Sequence, residues 1–115
     1  MMIELVKSKI HRVKVTDANL DYMGSISIDP ELLKASNILP GEKVQVLSNL
    51  DGERLETYVI EGERGKREVI INGPAAWKIK KDTIVIIISY ILLSKEDALT
   101  HKPTIIFPNE LTNSL

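Results

Sequence analysis

Glu42-Lys43-Val44-Gln45-Val46-Leu47-Ser48-Asn49-Leu50-Asp51-Gly52-Glu53-Arg54-Leu55-Glu56-Thr57-Tyr58-Val59-Ile60 holds two strand-like runs, Glu42 to Asn49 and Arg54 to Ile60, around an Asp-Gly pair. Asp-Gly between such runs is a strong short hairpin signal. On the N-terminal side, Asp29-Pro30 offers an N-cap and a proline at the first helical position for a short helix ending near Ser36-Asn37, and Pro40-Gly41 turns the chain into the hairpin. The first thirty residues alternate loosely and are rich in Ile, Val and Thr, which predicts strands and a turn. On the C-terminal side, Glu68 to Ile71 reads as a strand and Gly73-Pro74-Ala75-Ala76-Trp77 as one helical turn. Ile84 to Leu93 reads as a buried strand too short to span a membrane, Ser94 with Asp97 as a helix cap, and Thr104 to Phe107 as a last strand. Many short strands with few helices make the fold mainly β, a small barrel with short helices.

The 115 residues suffice for one domain, residues 1–115, with no visible linker or repeat. Fifteen basic and sixteen acidic side chains are spread along the chain, so no electrostatic footprint for nucleic acid or a membrane surface exists. The absence of cysteine excludes disulfides, thiol nucleophiles and thiolate metal sites, and His11 and His101 are too far apart in sequence to suggest a histidine-rich metal centre. The first ten residues contain Glu4, Lys7 and Lys9 and do not resemble a signal peptide, so a cytoplasmic protein is expected.

The candidate chemistry begins at Gly24-Ser25. Glycine tolerates strained dihedrals, and the following serine places a hydroxyl within reach of the preceding carbonyl, which permits an N-to-O acyl shift. By itself such a pair is in most chains only a solvated turn. In an ideal strand from Lys9 to Val15, Lys9 and His11 would share a face with Val13 and Val15; Lys9 is then either a ligand or a rim lysine with a buried stem. Arg54, Glu56 and Tyr58 share the other candidate face. Arg54 is either an exposed strand charge paired with a glutamate or a bidentate carboxylate clamp. Period-two alternation sends Thr57 to the face opposite Tyr58.

Tyr22-Met23-Gly24-Ser25, Glu53-Arg54-Leu55-Glu56-Thr57-Tyr58, and Glu63-Arg64-Gly65 followed by Asn72-Gly73 resemble the pyruvoyl-dependent aspartate 1-decarboxylase family over nearly the whole chain. The resemblance implies a double-psi β-barrel, a homotetramer with sites at subunit interfaces, and a proenzyme that cleaves itself into residues 1–24 and 25–115. Ser25 would become a covalent pyruvoyl group, which forms a Schiff base with L-aspartate and serves as the electron sink for loss of carbon dioxide to give β-alanine. No Gly-rich phosphate loop supports pyridoxal phosphate, and no metal is implied. Thr57 would donate to the Gly24 carbonyl during cleavage, Tyr58 would protonate the product carbanion, and Arg54 would hold the side-chain carboxylate. Lys9, Thr57 and the run Asn72, Gly73, Pro74 and Ala75 would complete the substrate site, while His11 has no catalytic role. A need for a maturation partner stays open. The chain departs from the family at Pro74, which has no amide proton, at Lys66-Arg67 and at Lys81-Asp82-Thr83. The rival readings are a self-cleaving hydrolase using Ser25 as its terminal nucleophile, and a barrel without chemistry that only binds.

Overall fold

The computed structural model describes all 115 residues. Eight strands, β1 (Met2–Lys14), β2 (Asp17–Asn19), β3 (Ser25–Ile28), β4 (Lys43–Ser48), β5 (Arg54–Glu61), β6 (Val69–Asn72), β7 (Ile84–Ser94) and β8 (Thr104–Ile106), run in the order β2-β6-β3-β5-β4-β7-β1-β8. β2 continues β1 across Val15 and Thr16 yet lies at the far end of that order, so the sheet curls round and closes. Thr16 makes the seam: its backbone N–H donates to the Val69 carbonyl at 2.8 Å, and its Oγ1 accepts from the Val69 N–H at 2.9 Å. The parallel pairs β2–β6 and β3–β5 exclude a simple up-and-down barrel and fit the double-psi connection. Inside, Ile10, Val13, Ile26, Ile28, Val44, Val46, Val59, Ile71, Val85 and Ile87 form the core, each such side chain contributing roughly 1.5–3 kcal/mol by burial.

The hairpin forms where the Asp-Gly signal puts it, β4 against β5 with Lys43 opposite Tyr58 and Leu47 opposite Arg54, and Gly52 in the left-handed region at φ +75°. The first helix, α1 (Pro30–Ser36), starts on Asp29, whose Oδ1 accepts from the Glu31 N–H at 2.8 Å, and ends on left-handed Asn37. Asp29 is fully buried and also accepts from the Arg67 N–H at 2.6 Å, pinning the 62–68 loop to the helix. Burial pushes its carboxyl up, but hydrogen bonds from the Glu31, Arg67 and Gly65 amides, with the Arg67 charge, hold it below its ordinary value. Ser94 caps the short α2 (Lys95–Ala98) by accepting from the Asp97 N–H at 3.1 Å.

Two expectations change. β1 is not an ideal strand: Ile10 faces Ile87 and Val13 faces Val85, so one extra residue is accommodated at His11–Arg12, with Arg12 at φ +68°. The bulge flips the alternation, so Ile10, Val13 and Val15 are buried together and Lys9 and His11 do not share their face. Buried Asn113 secures the strand beyond it, its Oδ1 accepting from the Lys14 N–H and its Nδ2 donating to the Lys14 carbonyl, each at 2.8 Å. β7, expected to be buried throughout, is buried only at Val85 and from Ile87 to Ser89. β4 stops pairing with it at Ile88, and the remainder pairs only with Met2–Val6, leaving Leu92 exposed.

Candidate functional site

β3 begins at Ser25, directly opposite Asn72 on the antiparallel β6. Ser25 is 1 % exposed; its hydroxyl donates to the Met23 carbonyl at 3.0 Å and accepts from Asn72 Nδ2, also at 3.0 Å. Asn72 precedes the 3-10 turn Gly73–Trp77, the helical turn expected from Gly-Pro-Ala-Ala-Trp. The turn packs on the Gly24-Ser25 junction through glycine: a Cβ on Gly73 would lie 2.8 Å from both Cα and N of Gly24. This corrects the reading of Gly24. Its φ is not in the left-handed region and a Cβ there meets only Pro74 Cδ at 3.9 Å, so the conformation reserved for glycine belongs to Gly73, at φ +75°.

A groove of about 480 Å³ runs past the junction, lined by Gly24, Thr57, Tyr58, Asn72, Pro74 and Ala75, with Leu55, Glu56 and Lys78 completing it. Thr57 and Tyr58 both reach it, although alternation separates them. The cause is the edge of β5: its pairing with β3 starts only at Val59, so Leu55 to Thr57 have no β3 residue paired beside them and the groove follows that edge. No bend in the strand is required.

Lys9 and Arg54 are not in this groove. Strand register carries Lys9 across to Ile88, then Gln45, then Glu56, placing all four on the outer face of the barrel, the face of Arg54. There Arg54 Nη1 donates to Gln45 Oε1 at 2.6 Å and the Tyr90 hydroxyl donates to the same oxygen at 2.9 Å, while Glu56 pairs with Lys43 instead. Arg54 is thus held by an amide, not by a glutamate. His11 stands edge-on to Phe107 at 5.5 Å, its buried Nδ1 unpartnered; burial, then the Lys9 and Arg12 charges, lower its pKa from the ordinary imidazole value. No group of three or more His, Cys, Asp or Glu side chains assembles that could hold a metal. Sequence reasoning missed Ser27, whose Oγ accepts from Asn72 Nδ2 at 2.9 Å; the Ser-Ile-Ser-Ile alternation, which puts Ser25 and Ser27 on one face, was the available signal. It also missed Lys78, which only the 3-10 turn brings to the groove.

Fold and site together define a small closed barrel with a Gly-Ser junction set into a groove beside a threonine, a tyrosine and an asparagine. The family model for aspartate decarboxylase matches residues 1–114. The aspartate 1-decarboxylases of Bacteroides thetaiotaomicron and Bacteroides fragilis are 57% and 56% identical over 115 residues, spanning all of this chain and 98% of each relative. That of Christiangramia forsetii is 56% identical, over all of this chain and 99% of its own length. The chain belongs to the aspartate decarboxylase family.

Proposed function

We propose that this chain decarboxylates L-aspartate to β-alanine and carbon dioxide, supplying pantothenate and coenzyme A synthesis, after cutting its own backbone between Gly24 and Ser25. The observation that carries the reading is that Thr57, Tyr58 and Asn72 share one groove with Gly24, with Asn72 hydrogen-bonded to Ser25, in a chain that matches aspartate 1-decarboxylases end to end. The Ser25 hydroxyl attacks the Gly24 carbonyl carbon, with Thr57 donating to the carbonyl oxygen as negative charge develops on it. The resulting ester loses the Gly24 carboxylate by elimination, and hydrolysis of the dehydroalanine releases ammonia, leaving a pyruvoyl group on residue 25. The site fits that group: a hydroxyl beside the scissile peptide, an amide donor on the hydroxyl, and a groove for a small amino acid. Its ketone supplies the electron sink that an α-decarboxylation needs.

The other residues bind and move protons. Tyr58, at the groove wall, delivers a proton to Cα once carbon dioxide has left. Arg54 grips the side-chain carboxylate through two parallel N–H bonds, with Lys9 on the same outer face three strands away. Because both lie outside their own chain's groove, a neighbouring copy supplies them, and the working form is a homotetramer with sites between subunits. Asn72, Pro74 and Ala75 line this groove; Pro74 has no amide to offer, so anion contacts at the turn fall to the amides of Gly73, Ala75 and Ala76. No helix is long and apolar enough to cross a membrane, and the enzyme works in the cytoplasm without a metal or pyridoxal phosphate.

Intact mass under denaturing conditions tests this. Purified protein is expected as two pieces, residues 1–24 and 25–115, the larger lighter by one ammonia than a serine-initiated peptide. Ser25→Ala is expected to stay whole. A free amino-terminal serine on the larger piece of active protein would replace this reading with a hydrolase, and a chain that never breaks would leave a binding barrel.

A further inference from the structure

We infer that Ser27 is a positioning residue for self-cleavage, holding the Asn72 carboxamide so that it serves the Ser25 hydroxyl. The inference rests on the self-cleavage proposed above. Asn72 stands at the N-cap of the 3-10 turn, where asparagine ordinarily caps with its side chain, yet it makes no side-chain cap bond. The carboxamide turns inward instead, and its two N–H bonds go to two serines, Ser25 Oγ at 3.0 Å and Ser27 Oγ at 2.9 Å. All three residues are at most 9% exposed, so water competes little for these bonds.

The geometry gives Ser27 its effect. The two amide hydrogens are fixed about 120° apart in one plane, whereas the side-chain torsion that swings the amide is soft and broad. Anchoring one hydrogen on Ser27 therefore aims the other at Ser25. With residue 27 unable to accept, the carboxamide can rotate back towards the free amides of the turn it precedes, its usual role.

Aim matters because of the step that follows. In the acyl shift the Ser25 Oγ–H bond breaks, an Oγ–C bond to Gly24 forms, the Gly24 C–N bond breaks, and the proton ends on the Ser25 nitrogen. The shift is an isomerisation and requires no oxidant or reductant. While its proton departs, Oγ gathers negative charge in a buried site, and the Asn72 N–H is the donor already within 3.0 Å of it. After cleavage that hydroxyl no longer exists, so what Ser27 contributes through the Asn72–Ser25 bond is spent in maturation.

The test compares freshly synthesised wild type, Ser27→Ala, Ser27→Thr and Asn72→Ala, following the two fragments by intact mass. Ser27→Ala is expected to cleave about 3–10-fold more slowly, the size of one lost neutral hydrogen bond, and Ser27→Thr to recover most of the rate. The pair Ser27→Ala with Asn72→Ala is expected to cleave no more slowly than Asn72→Ala alone, because Ser27 acts through Asn72. Once fully matured and purified, Ser27→Ala is expected to lose less in kcat/KM than it lost in cleavage rate, because only cleavage uses the Ser25 hydroxyl that Asn72 serves. Should Ser27→Ala fail to fold, Ser27→Cys, close in shape but a weak acceptor, carries the same expectation. Cleavage of Ser27→Ala at the wild-type rate overturns the inference, as does an equal loss in cleavage and in turnover of matured enzyme, which would mark a merely structural serine. If wild type itself does not cleave, self-processing fails, a result distinguishable from either.

Discussion

Gly73→Ala places the new methyl carbon 2.8 Å from Gly24 Cα, 2.8 Å from Gly24 N and 3.1 Å from the Tyr22 carbonyl oxygen. Carbon contacts settle at about 3.5–4.0 Å, so the methyl intrudes by roughly 0.7 Å or more. All three neighbours are backbone, and none can rotate aside. Two costs combine. A Cβ at φ +75° costs about 1–2 kcal/mol by itself, and pushing apart packed backbone adds about 1–3 kcal/mol. Gly65→Ala and Gly41→Ala isolate the first cost, since both glycines have positive φ, +87° and +90°, with nothing within 4 Å of a new Cβ. Urea unfolding in a Ser25→Ala background, where processing cannot intervene, is expected to show Gly73→Ala clearly less stable than either control. In the native background the methyl displaces the scissile peptide itself. A misplacement on the order of 1 Å can cost about 10² in rate, so cleavage of Gly73→Ala is expected to slow that far while the controls cleave normally. If Gly73→Ala is as stable as Gly65→Ala and cleaves at the wild-type rate, the packing of the turn on Gly24 is not what aligns the junction.

Thr57 and Tyr58 line the same groove but are expected to fail at different stages. Thr57→Val should slow appearance of the two fragments roughly 10²–10³-fold, the usual loss for an oxyanion donor. Tyr58→Phe should mature normally yet release β-alanine about 10²–10⁴-fold more slowly; normal turnover in the matured variant would reduce Tyr58 to packing. Asp29, held below its ordinary value of 3.8, contributes stability that is fully present above the unfolded pKa and is lost as pH falls through the lower folded value. Asp29→Asn leaves the Arg67 N–H without its anionic acceptor and should cost about 1–3 kcal/mol at pH 7. The gap between wild type and variant in urea midpoint should narrow as pH drops below about 4, and a gap that is constant with pH would show that the carboxylate charge contributes nothing.

The elements that local chemistry specifies were legible from the residues alone. Asp51-Gly52 set the hairpin, Asp29-Pro30 and Asn37 bounded α1, Ser94 with Asp97 started α2, and Gly73-Pro74 opened the turn, because caps and turns depend on dihedrals and hydrogen bonds within a few residues. The Gly-Ser junction and the family motifs around it were equally open to reading. The bulge in β1 was not, since Arg12 carries no glycine signal for its positive φ, and one extra residue moved Lys9 to the other face of the sheet. Nor could alternation bring Thr57 and Tyr58 to one groove: that depends on where β3 stops covering the edge of β5, a pairing between strands about thirty residues apart. The shared outer face of Lys9 and Arg54 emerges only when register is carried through β7 and β4, and the clasp of Asn72 on Ser25 and Ser27 spans 47 and 45 residues. Chain-local dihedral and capping preferences act on neighbours in sequence, so they can be read there. Which face a side chain takes, and what it meets, follows from the register of distant strands, and that is settled only when the barrel closes.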